Sequence, residues 1–318
     1  MVPTDLILAS VVLFLALGVD RLVGDPRSPY HPVALLGRFI GWWGKPALYP
    51  LILQRIAGIL FWIVTVSLFT LPFFLYGSYA PWLVYLAGAP LLIKCCFAWR
   101  SLEEHALEVV AALKSGVDAG RDQVKLMVSR DTSFLDPEHI RSAAYESVTE
   151  NLTDSIVSPL FYFAVLSPFG AGLCGAAIFR AANTMDAMLG YRDERIRLGW
   201  WSARMDDILN YIPARVTVFF LIAYFLTKGT GGRAWEVMRR DGKKRPGFNG
   251  GIVMAAMAGG CGIRFEKPGV YTIGNGYQSL EKGGGAVISA VRAVTLAFAA
   301  TAAGTLILLA WLIHSTGI

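Results

Sequence analysis

Long apolar runs are the feature that most restricts what this chain can fold into. The clearest cover residues 6–19, 56–77, 79–99 and 286–313, and a helix of about 20 apolar residues is long enough to cross a bilayer. Charged residues make up 16% of the 318 residues, against about 25% in a soluble domain. The sequence therefore predicts an all-α, polytopic integral membrane protein with about 4–6 membrane helices, plus short re-entrant and amphipathic helices.

Several apolar segments predict less regular pieces of the fold. Residues 33–43 are apolar on one side and are expected to lie along the membrane interface. Residues 79–99 are expected to form a second span in a hairpin with residues 56–77, with Lys94 extending its ammonium to the interface. Residues 156–166 and 171–179 are each too short to span, which favours a re-entrant or protein-buried helical pair. Residues 212–227 make a marginal span.

Charge distribution indicates how the chain is oriented. We expect a single membrane domain over residues 1–318, with segments at about 20–55, 99–155 and 228–283 on the cytosolic side, because basic loops stay in the cytosol. The predicted location is the cytoplasmic membrane, multi-pass, with the active site toward the cytosol. The net charge of +6 is explained by such loops, so no nucleic acid is expected as a partner. The four cysteines have no CxxC spacing, so neither a zinc site nor a disulfide framework is predicted.

A first polar face lies on a predicted helix that begins at Pro137, after the N-cap residue Asp136. Glu146, Glu150 and Asp154 follow one another at four-residue steps, so a helix would place the three carboxylates on one face. A solvated helix face is one interpretation. The other is a site for a divalent cation, because acids that run into an apolar segment need partners, and hard oxygen ligands suit Mg²⁺.

Two further polar faces follow in the chain. Arg180, Asn183 and Asp186 recur at three-residue steps, and the arginine and aspartate could simply neutralise one another. The second face is richer, and its members are Arg204, Asp206, Asp207, Asn210 and Arg215. Such a group beside a membrane segment indicates a lined cleft, in which arginines would hold a carboxylate or a phosphate with two hydrogen bonds.

Glycine and proline mark the remaining candidate sites. Asp25 and His31 lie in a turn rich in glycine and proline, which is either a rigid polar site or a plain interfacial loop. Three glycine-rich pieces occur at residues 229–232, 247–251 and 282–285. None has the form G-x-x-x-x-G-K-[ST], so no P-loop is predicted, and flexible hinges are the expected role.

Taken together, these residues resemble a known family. The match runs through nearly the whole chain, and its elements are Asp20, Gly24-Asp25-Pro26, His31-Pro32, Arg130-Asp131-Thr132, Glu146-Ser147-Val148, Glu150-Asn151, Asp154, Arg180-Ala181, Asn183-Thr184, Asp186, Met188, Gly190-Tyr191, Ala203-Arg204, Asp206-Asp207, Asn210 and Ile212-Pro213-Ala214-Arg215. In this order they are similar to the adenosylcobinamide-phosphate synthase family of cobalamin biosynthesis, a set of polytopic membrane enzymes.

The resemblance implies an activity. It is a ligase reaction that forms a carbon–nitrogen (amide) bond at the expense of ATP, joining adenosylcobyric acid to (R)-1-amino-2-propanol O-phosphate or to aminopropanol itself. The expected product is adenosylcobinamide phosphate, with ATP as co-substrate and Mg²⁺ as cofactor. The expected partners are the corrinoid, the aminoalcohol, the lipid bilayer and other membrane enzymes of the corrinoid pathway.

The resemblance also implies roles for individual residues. The catalytic candidates are Glu146, Glu150 and Asp207, with Glu146 taking the proton from the attacking ammonium. The expected Mg²⁺ ligands are Glu150, Asp154, Asp186, Asp206 and Asp207. The expected substrate-binding residues are Asp25, His31, Arg130, Asn151, Arg180, Asn183, Tyr191, Arg204, Asn210 and Arg215.

Two other classes of function stay open from the sequence. A secondary transporter would also carry paired intramembrane carboxylates, although no inverted repeat is visible. A non-catalytic membrane scaffold for corrinoid enzymes would fit the same resemblance. Amide formation by the purified protein separates the enzyme from both alternatives.

Overall fold

A computed structural model describes residues 3–25 and 30–316 of the protein. The α-helices and strands, numbered in chain order, are α1 (Pro3–Val23), α2 (Pro32–Trp43), α3 (Gln54–Tyr79), α4 (Trp82–Lys94), α5 (Arg100–Ser115), α6 (Val117–Lys125), α7 (Pro137–Asn151), α8 (Ser158–Leu166), α9 (Gly172–Leu189), α10 (Trp200–Leu209), α11 (Tyr211–Thr227), α12 (Gly231–Asp241), α13 (Gly250–Cys261), β1 (Arg264–Lys267), β2 (Tyr271–Gly274) and α14 (Leu280–Thr316).

The chain divides into two compact units. The first consists of Met1–Ala98, Ser158–Asn210 and Ala299–Ile318, and the second of Trp99–Val157 and Tyr211–Phe298. The single-domain prediction for residues 1–318 stays a prediction, and each unit is described by itself below.

The first unit is built around helices α2, α3 and α9. Its buried apolar cluster includes Leu36, Ile40, Trp43 and Met185, and the ring of Trp43 stacks on Phe61 with their centroids 5.2 Å apart. Helices α8 and α9 fold back on one another across a short turn, so that Tyr162 of α8 stacks on the ring of Phe179. Between helices surrounded by lipid, van der Waals packing of such side chains, and not their removal from water, supplies the stabilisation.

Close packing in the first unit depends on Gly58 of helix α3. A Cβ atom placed there would lie 2.1 Å from the carbonyl oxygen of Leu198, which is part of the backbone and cannot move aside easily. We expect Gly58→Ala to lower the free energy of unfolding by about 1–3 kcal/mol. Gly18→Ala is the matched control, because nothing lies within 4 Å of a Cβ atom there. Equal unfolding midpoints for the two variants in detergent would contradict this packing argument.

The second unit contains the soluble-type helices and the only strands among residues 3–25 and 30–316. Helix α7 begins as the sequence predicts, because the Asp136 side chain accepts a hydrogen bond from the His139 backbone N–H. Strands β1 and β2 form an antiparallel hairpin in which Phe265 pairs with Ile273. A buried cluster of Val109, Val124, Ile140 and other apolar residues packs α5, α6 and α7 together.

Four helices in the described part of the chain are long and apolar enough to cross a membrane. They are Asp5–Val23, Gln54–Tyr79, Pro137–Phe169 and Leu280–Thr316, and α10 with α11 makes a fifth if that bent pair is one span. The protein is therefore an all-α, multi-pass membrane protein, which confirms the predicted fold class.

Several local predictions were wrong. The segment 79–99 is not a second span, because α3 continues to Tyr79 and α4 covers only 13 residues before a turn at Cys95 and Cys96. Residues 156–166 are not an isolated short segment, because a π-helical stretch at Leu152–Val157 joins α7 to α8. The glycines at 283–285 are not a hinge, since they lie inside α14.

Candidate functional site

A cavity of about 400 Å³ opens in the second unit. Three segments give it charged walls: the loop before α7, the loop after α12 and the β-hairpin. Helix α7 supplies Glu146, Glu150 and Asn151. The cationic side chains in the lining are Arg130, Arg245 and Lys267. Such a mixture of carboxylates and cations in one concave site is typical of a binding or catalytic centre.

Glu146 is the best-connected side chain of this cavity. It is 5% exposed and accepts hydrogen bonds from the hydroxyls of Ser142, at 2.5 Å, and Tyr271, at 2.7 Å. A guanidinium nitrogen of Arg130 lies 3.3 Å from the same carboxylate. Three donors therefore fix the orientation of this carboxylate, and the solvated-face interpretation does not hold for Glu146.

Glu150 has a different partner. Its carboxylate pairs with Arg245, and Asp154 also lies close enough to act on that guanidinium. Burial acts to lower the pKa of Arg245, but the charges of Glu150 and other neighbours raise it overall. Glu150 at the end of α7 and Asp154 in the π-helical stretch that follows it therefore both act on one cation from another segment of the chain.

Hydrogen bonds hold both ends of the β-hairpin beside the cavity. The Glu266 backbone N–H donates to the hydroxyl of Ser142 on α7, at 2.7 Å. At the other end, the Gly274 backbone N–H donates to the buried carboxylate of Asp241, at 2.9 Å. Burial raises the pKa of Tyr271, and the neighbouring Glu146 carboxylate raises it further, so Tyr271 is a neutral hydrogen-bond donor near pH 7.

Asp241 gives the hairpin a pH-dependent anchor. Burial acts to raise the pKa of Asp241, but hydrogen bonds from Arg240 and Lys244 hold it well below its usual range. A carboxyl group whose pKa is lower in the folded state stabilises the fold above its unfolded pKa of about 4, and the stabilisation is lost as the pH falls below that value. We expect the difference in thermal unfolding midpoint between wild type and Asp241→Asn to be larger at pH 6 than at pH 3. A difference that stays constant over this range would contradict the assignment.

A second cluster of charges lies in the first unit. The ammonium of Lys94 is 3.0 Å from a carboxylate oxygen of Asp20 and also pairs with Asp25. The side chains of Lys94 and Asp20 are 6% and 0% exposed. The prediction that Lys94 extends to the membrane interface was therefore wrong. The cost of an unpaired charge in a buried site explains why the ammonium turns inward to two carboxylates.

His31 belongs to the same neighbourhood. Its Nδ1 accepts a hydrogen bond from the Val33 backbone N–H, at 3.3 Å, and so caps helix α2. Burial lowers the pKa of His31; Asp25 acts to raise it, whereas the cations Lys94 and Arg180 lower it further. A neutral imidazole that accepts at Nδ1 is the state that fits this environment.

A hydrogen-bonded chain connects the polar residues of α8, α9 and α10 in the first unit. One carboxylate oxygen of Asp206 accepts from the amide of Asn183, at 3.1 Å, and the other accepts from the amide of Asn210, at 3.0 Å. The hydroxyl of Ser158 donates to the carbonyl oxygen of Asn210, at 2.6 Å. These predicted substrate and metal residues therefore connect three helices with one another.

A resident metal centre is not found among residues 3–25 and 30–316: no group of three or more His, Cys, Asp or Glu side chains there is arranged to hold a metal ion. Mg²⁺ needs fewer protein ligands, because it keeps several waters and binds one or two carboxylates together with substrate phosphates. The acids present therefore fit a metal that is brought by a triphosphate better than a resident metal centre.

Comparisons with known proteins place the chain in a family. The model of the CobD/Cbib protein family matches residues 13–297. The chain belongs to the CobD/Cbib family. It is 40% identical over 274 residues to the probable cobalamin biosynthesis protein CobD of Methanothermobacter thermautotrophicus, covering 85% of this chain and 88% of the relative.

Other CobD/Cbib relatives give the same result. The probable cobalamin biosynthesis protein CobD of Thermococcus kodakarensis is 40% identical over 265 residues, with 83% of this chain and 84% of the relative covered. The cobalamin biosynthesis protein CobD of Dehalococcoides mccartyi is 34% identical over 280 residues, at 85% and 88% coverage. No solved structure matches the chain. These findings support a role in cobalamin biosynthesis, which implies a corrinoid substrate.

Within this CobD/Cbib member, the structure sorts the predicted site residues by unit. The second unit holds Arg130, Glu146, Glu150, Asn151, Asp154 and Arg215, and the first holds Asp25, His31, Arg180, Asn183, Asp186, Tyr191, Arg204, Asp206, Asp207 and Asn210. Arg130, Glu146, Glu150 and Asn151 line the cavity together. Which of these residues bind substrate or metal stays a prediction.

Two of the predicted substrate-binding residues, Arg215 and Tyr191, have local contacts, and a third is exposed. The Arg215 guanidinium donates to the Asn249 side chain at 2.7 Å and lies 3.7 Å from the centre of the Tyr211 ring. The ring of Tyr191 contacts Arg195, whose guanidinium carbon is 4.0 Å from the ring centre, and Arg204 is exposed. Arg215 thus holds the loop that precedes α13.

Sequence reasoning missed several residues of these sites. Lys94, Arg245, Lys267 and Tyr271 were not among the candidates, yet Lys94, Arg245 and Tyr271 each bind a candidate carboxylate and Lys267 lines the cavity. The sequence could have indicated Lys94, because a lone lysine inside an apolar segment is usually paired or functional. No comparable pattern identifies Tyr271.

Proposed function

We propose that the protein is an ATP-dependent ligase that joins the carboxyl group of adenosylcobyric acid to the amine of aminopropanol, or of its phosphate ester, in cobalamin biosynthesis. Membership of the CobD/Cbib family supports the pathway. The single observation that carries the reaction class is the cavity of the second unit, where Glu146 lies with Arg130, Arg245 and Lys267. A carboxylate base among cations suits an amine attacking an activated acid.

The proposed chemistry has two steps. A carboxylate oxygen of the corrinoid attacks the γ-phosphorus of ATP, the bond to the bridging oxygen breaks, and ADP leaves, giving an acyl phosphate. The amine nitrogen then forms a bond to the acyl carbon while the carbon–oxygen bond to phosphate breaks and inorganic phosphate leaves. The proton lost by the amine passes to Glu146, which Ser142 and Tyr271 hold in place.

Cationic side chains would reduce the repulsion between a carboxylate and a triphosphate. Arg130 and Arg245 lie on the cavity wall, where guanidinium groups bind phosphate and carboxylate with two hydrogen bonds. Mg²⁺, when bound with ATP, would neutralise phosphate charge. The proposed ligands for it remain Glu150, Asp154, Asp186, Asp206 and Asp207, although Glu150 is paired with Arg245 and Asp206 with two amides.

One experiment tests the proposal directly. The wild-type protein in detergent is incubated with Mg·ATP, adenosylcobyric acid and aminopropanol phosphate, or with aminopropanol, and the products are identified by mass spectrometry. We expect an amide product together with one ADP per amide formed. Absence of amide and of ADP, with intact folded protein, would favour the scaffold, and corrinoid or amine flux into proteoliposomes without ATP would favour the transporter.

A further inference from the structure

The charges around the cavity of the second unit do not cancel. Its lining carries three cations, Arg130, Arg245 and Lys267, against two carboxylates, Glu146 and Glu150. Each carboxylate is already paired, Glu146 with Arg130 and Glu150 with Arg245. The cavity therefore has a positive excess, and that excess resides on the lysine of strand β1.

Two of these cations, Lys267 and Arg130, have N–H donors that no carboxylate accepts from. Among the described residues, no carboxylate is paired with the Lys267 ammonium. Arg130 uses one terminal nitrogen on Glu146, while its Nε and its other terminal nitrogen are buried without a hydrogen-bond partner. Buried donors without a partner cost about 1–3 kcal/mol each, so a small movement of the guanidinium that brought one of them to an oxyanion in the cavity would recover part of that cost.

The three cations reach the cavity from three separate segments of the chain. Arg130 precedes α7, Arg245 follows α12, and Lys267 ends β1. A phosphate directs its oxygens outward in several directions, whereas both oxygens of a carboxylate lie in one plane on one side of the group. Donors that converge from several sides therefore match a tetrahedral oxyanion better than a planar one.

We infer that this cavity is a phosphate-binding site in which Lys267 and Arg130 contact the phosphate oxygens, with the β-hairpin forming one wall. The assignment of the bound phosphate to a substrate or to released product rests on the proposed function. The site itself depends only on the geometry and charges of the second unit. Glu146 lies in the same lining, so a phosphate held there would be close to the proposed proton acceptor.

Inorganic phosphate is the probe for this site. Its binding to the full-length protein in detergent is measured by calorimetry at constant ionic strength, without ATP or corrinoid. We expect one saturable site per chain, weakened about tenfold or more in Lys267→Gln, because a hydrogen bond to a charged group is lost. Arg264→Gln is the matched control: it removes one positive charge from the same hairpin, but its side chain does not line the cavity and pairs with Glu266.

A second variant distinguishes the loss of the positive charge from a loss of the fold. Lys267→Arg keeps the charge and should bind phosphate within about threefold of wild type, whereas Lys267→Gln should not. The inference is overturned if no saturable binding occurs, if Arg264→Gln weakens binding as much as Lys267→Gln, or if acetate binds as tightly as phosphate.

The outcomes separate this inference from the proposed ligase reaction. Phosphate binding that depends on Lys267, in a protein that forms no amide, would leave the site standing and remove the proposed function. Amide formation by a wild-type protein that shows no saturable phosphate binding would remove the site and leave the proposed function standing.

Discussion

Glu146→Gln is expected to lower kcat for amide formation by about 10²–10⁴-fold, the usual contribution of a positioned general base. Ser142 donates to one carboxylate oxygen of Glu146 and Tyr271 to the other, so the glutamine carbonyl keeps only one of these hydrogen bonds, and the unfolding midpoint of the variant is compared with that of wild type. The glutamine cannot take the proton from the attacking amine. Single-turnover measurement of amide formation, with acyl phosphate trapped by hydroxylamine, should show a slow second step and an unchanged first step.

Glu104→Gln is the matched control for this experiment. Glu104 lies on α5 as an exposed partner of Arg100, so its replacement changes the charge equally without touching the cavity. Asp207→Asn tests the metal assignment in the same assay, and we expect its defect to be reduced at higher Mg²⁺ concentration. Turnover at the wild-type rate in both Glu146→Gln and Asp207→Asn would remove these residues from the mechanism.

The second large effect is expected in the first unit, at Lys94. Lys94→Gln should lower the free energy of unfolding by about 3–5 kcal/mol, because it removes the cation that pairs with the buried carboxylate of Asp20 and the half-buried carboxylate of Asp25. Denaturant-induced unfolding in mixed micelles, followed by tryptophan fluorescence, measures the change. Lys45→Gln, at an exposed position, should stay within about 0.5 kcal/mol of wild type.

A double variant tests the reason for this loss. If uncompensated negative charge is the cause, Asp20→Asn combined with Lys94→Gln should recover part of the stability that Lys94→Gln alone loses. A double variant that loses the sum of the two single effects would show that packing, and not charge, makes Lys94 necessary.

The polar faces show how far sequence reasoning reached into the site. The spacing of Glu146, Glu150 and Asp154 placed all three on one predicted helix, and the structure has α7 and its π-helical continuation there. The sequence did not indicate that Glu150 pairs with Arg245, because that arginine lies 95 positions further along the chain. Long-range pairs leave no periodic signal.

Lys94 illustrates the same limit from the other direction. Within its own segment Lys94 is a lone cation in an apolar run. Judged from that segment alone, the conformation of lowest free energy extends the ammonium to the membrane interface. Its partner Asp25 is 69 positions earlier. Only the packing of α1 with α4 brings the two aspartates to it, and the local sequence holds no trace of that contact.

By itself, the sequence determined the class of the protein: a continuous apolar run of membrane length becomes a helix in lipid, because a helix satisfies its backbone hydrogen bonds within the segment. It also determined the family and the start of α7 at Asp136–Pro137. The tertiary structure alone decided which charges meet, since hydrogen bonds and ion pairs depend on distances of a few ångströms between residues far apart in the chain. For this reason, no sequence motif predicts that Tyr271, Arg245 and Lys267 lie with Glu146 in one cavity.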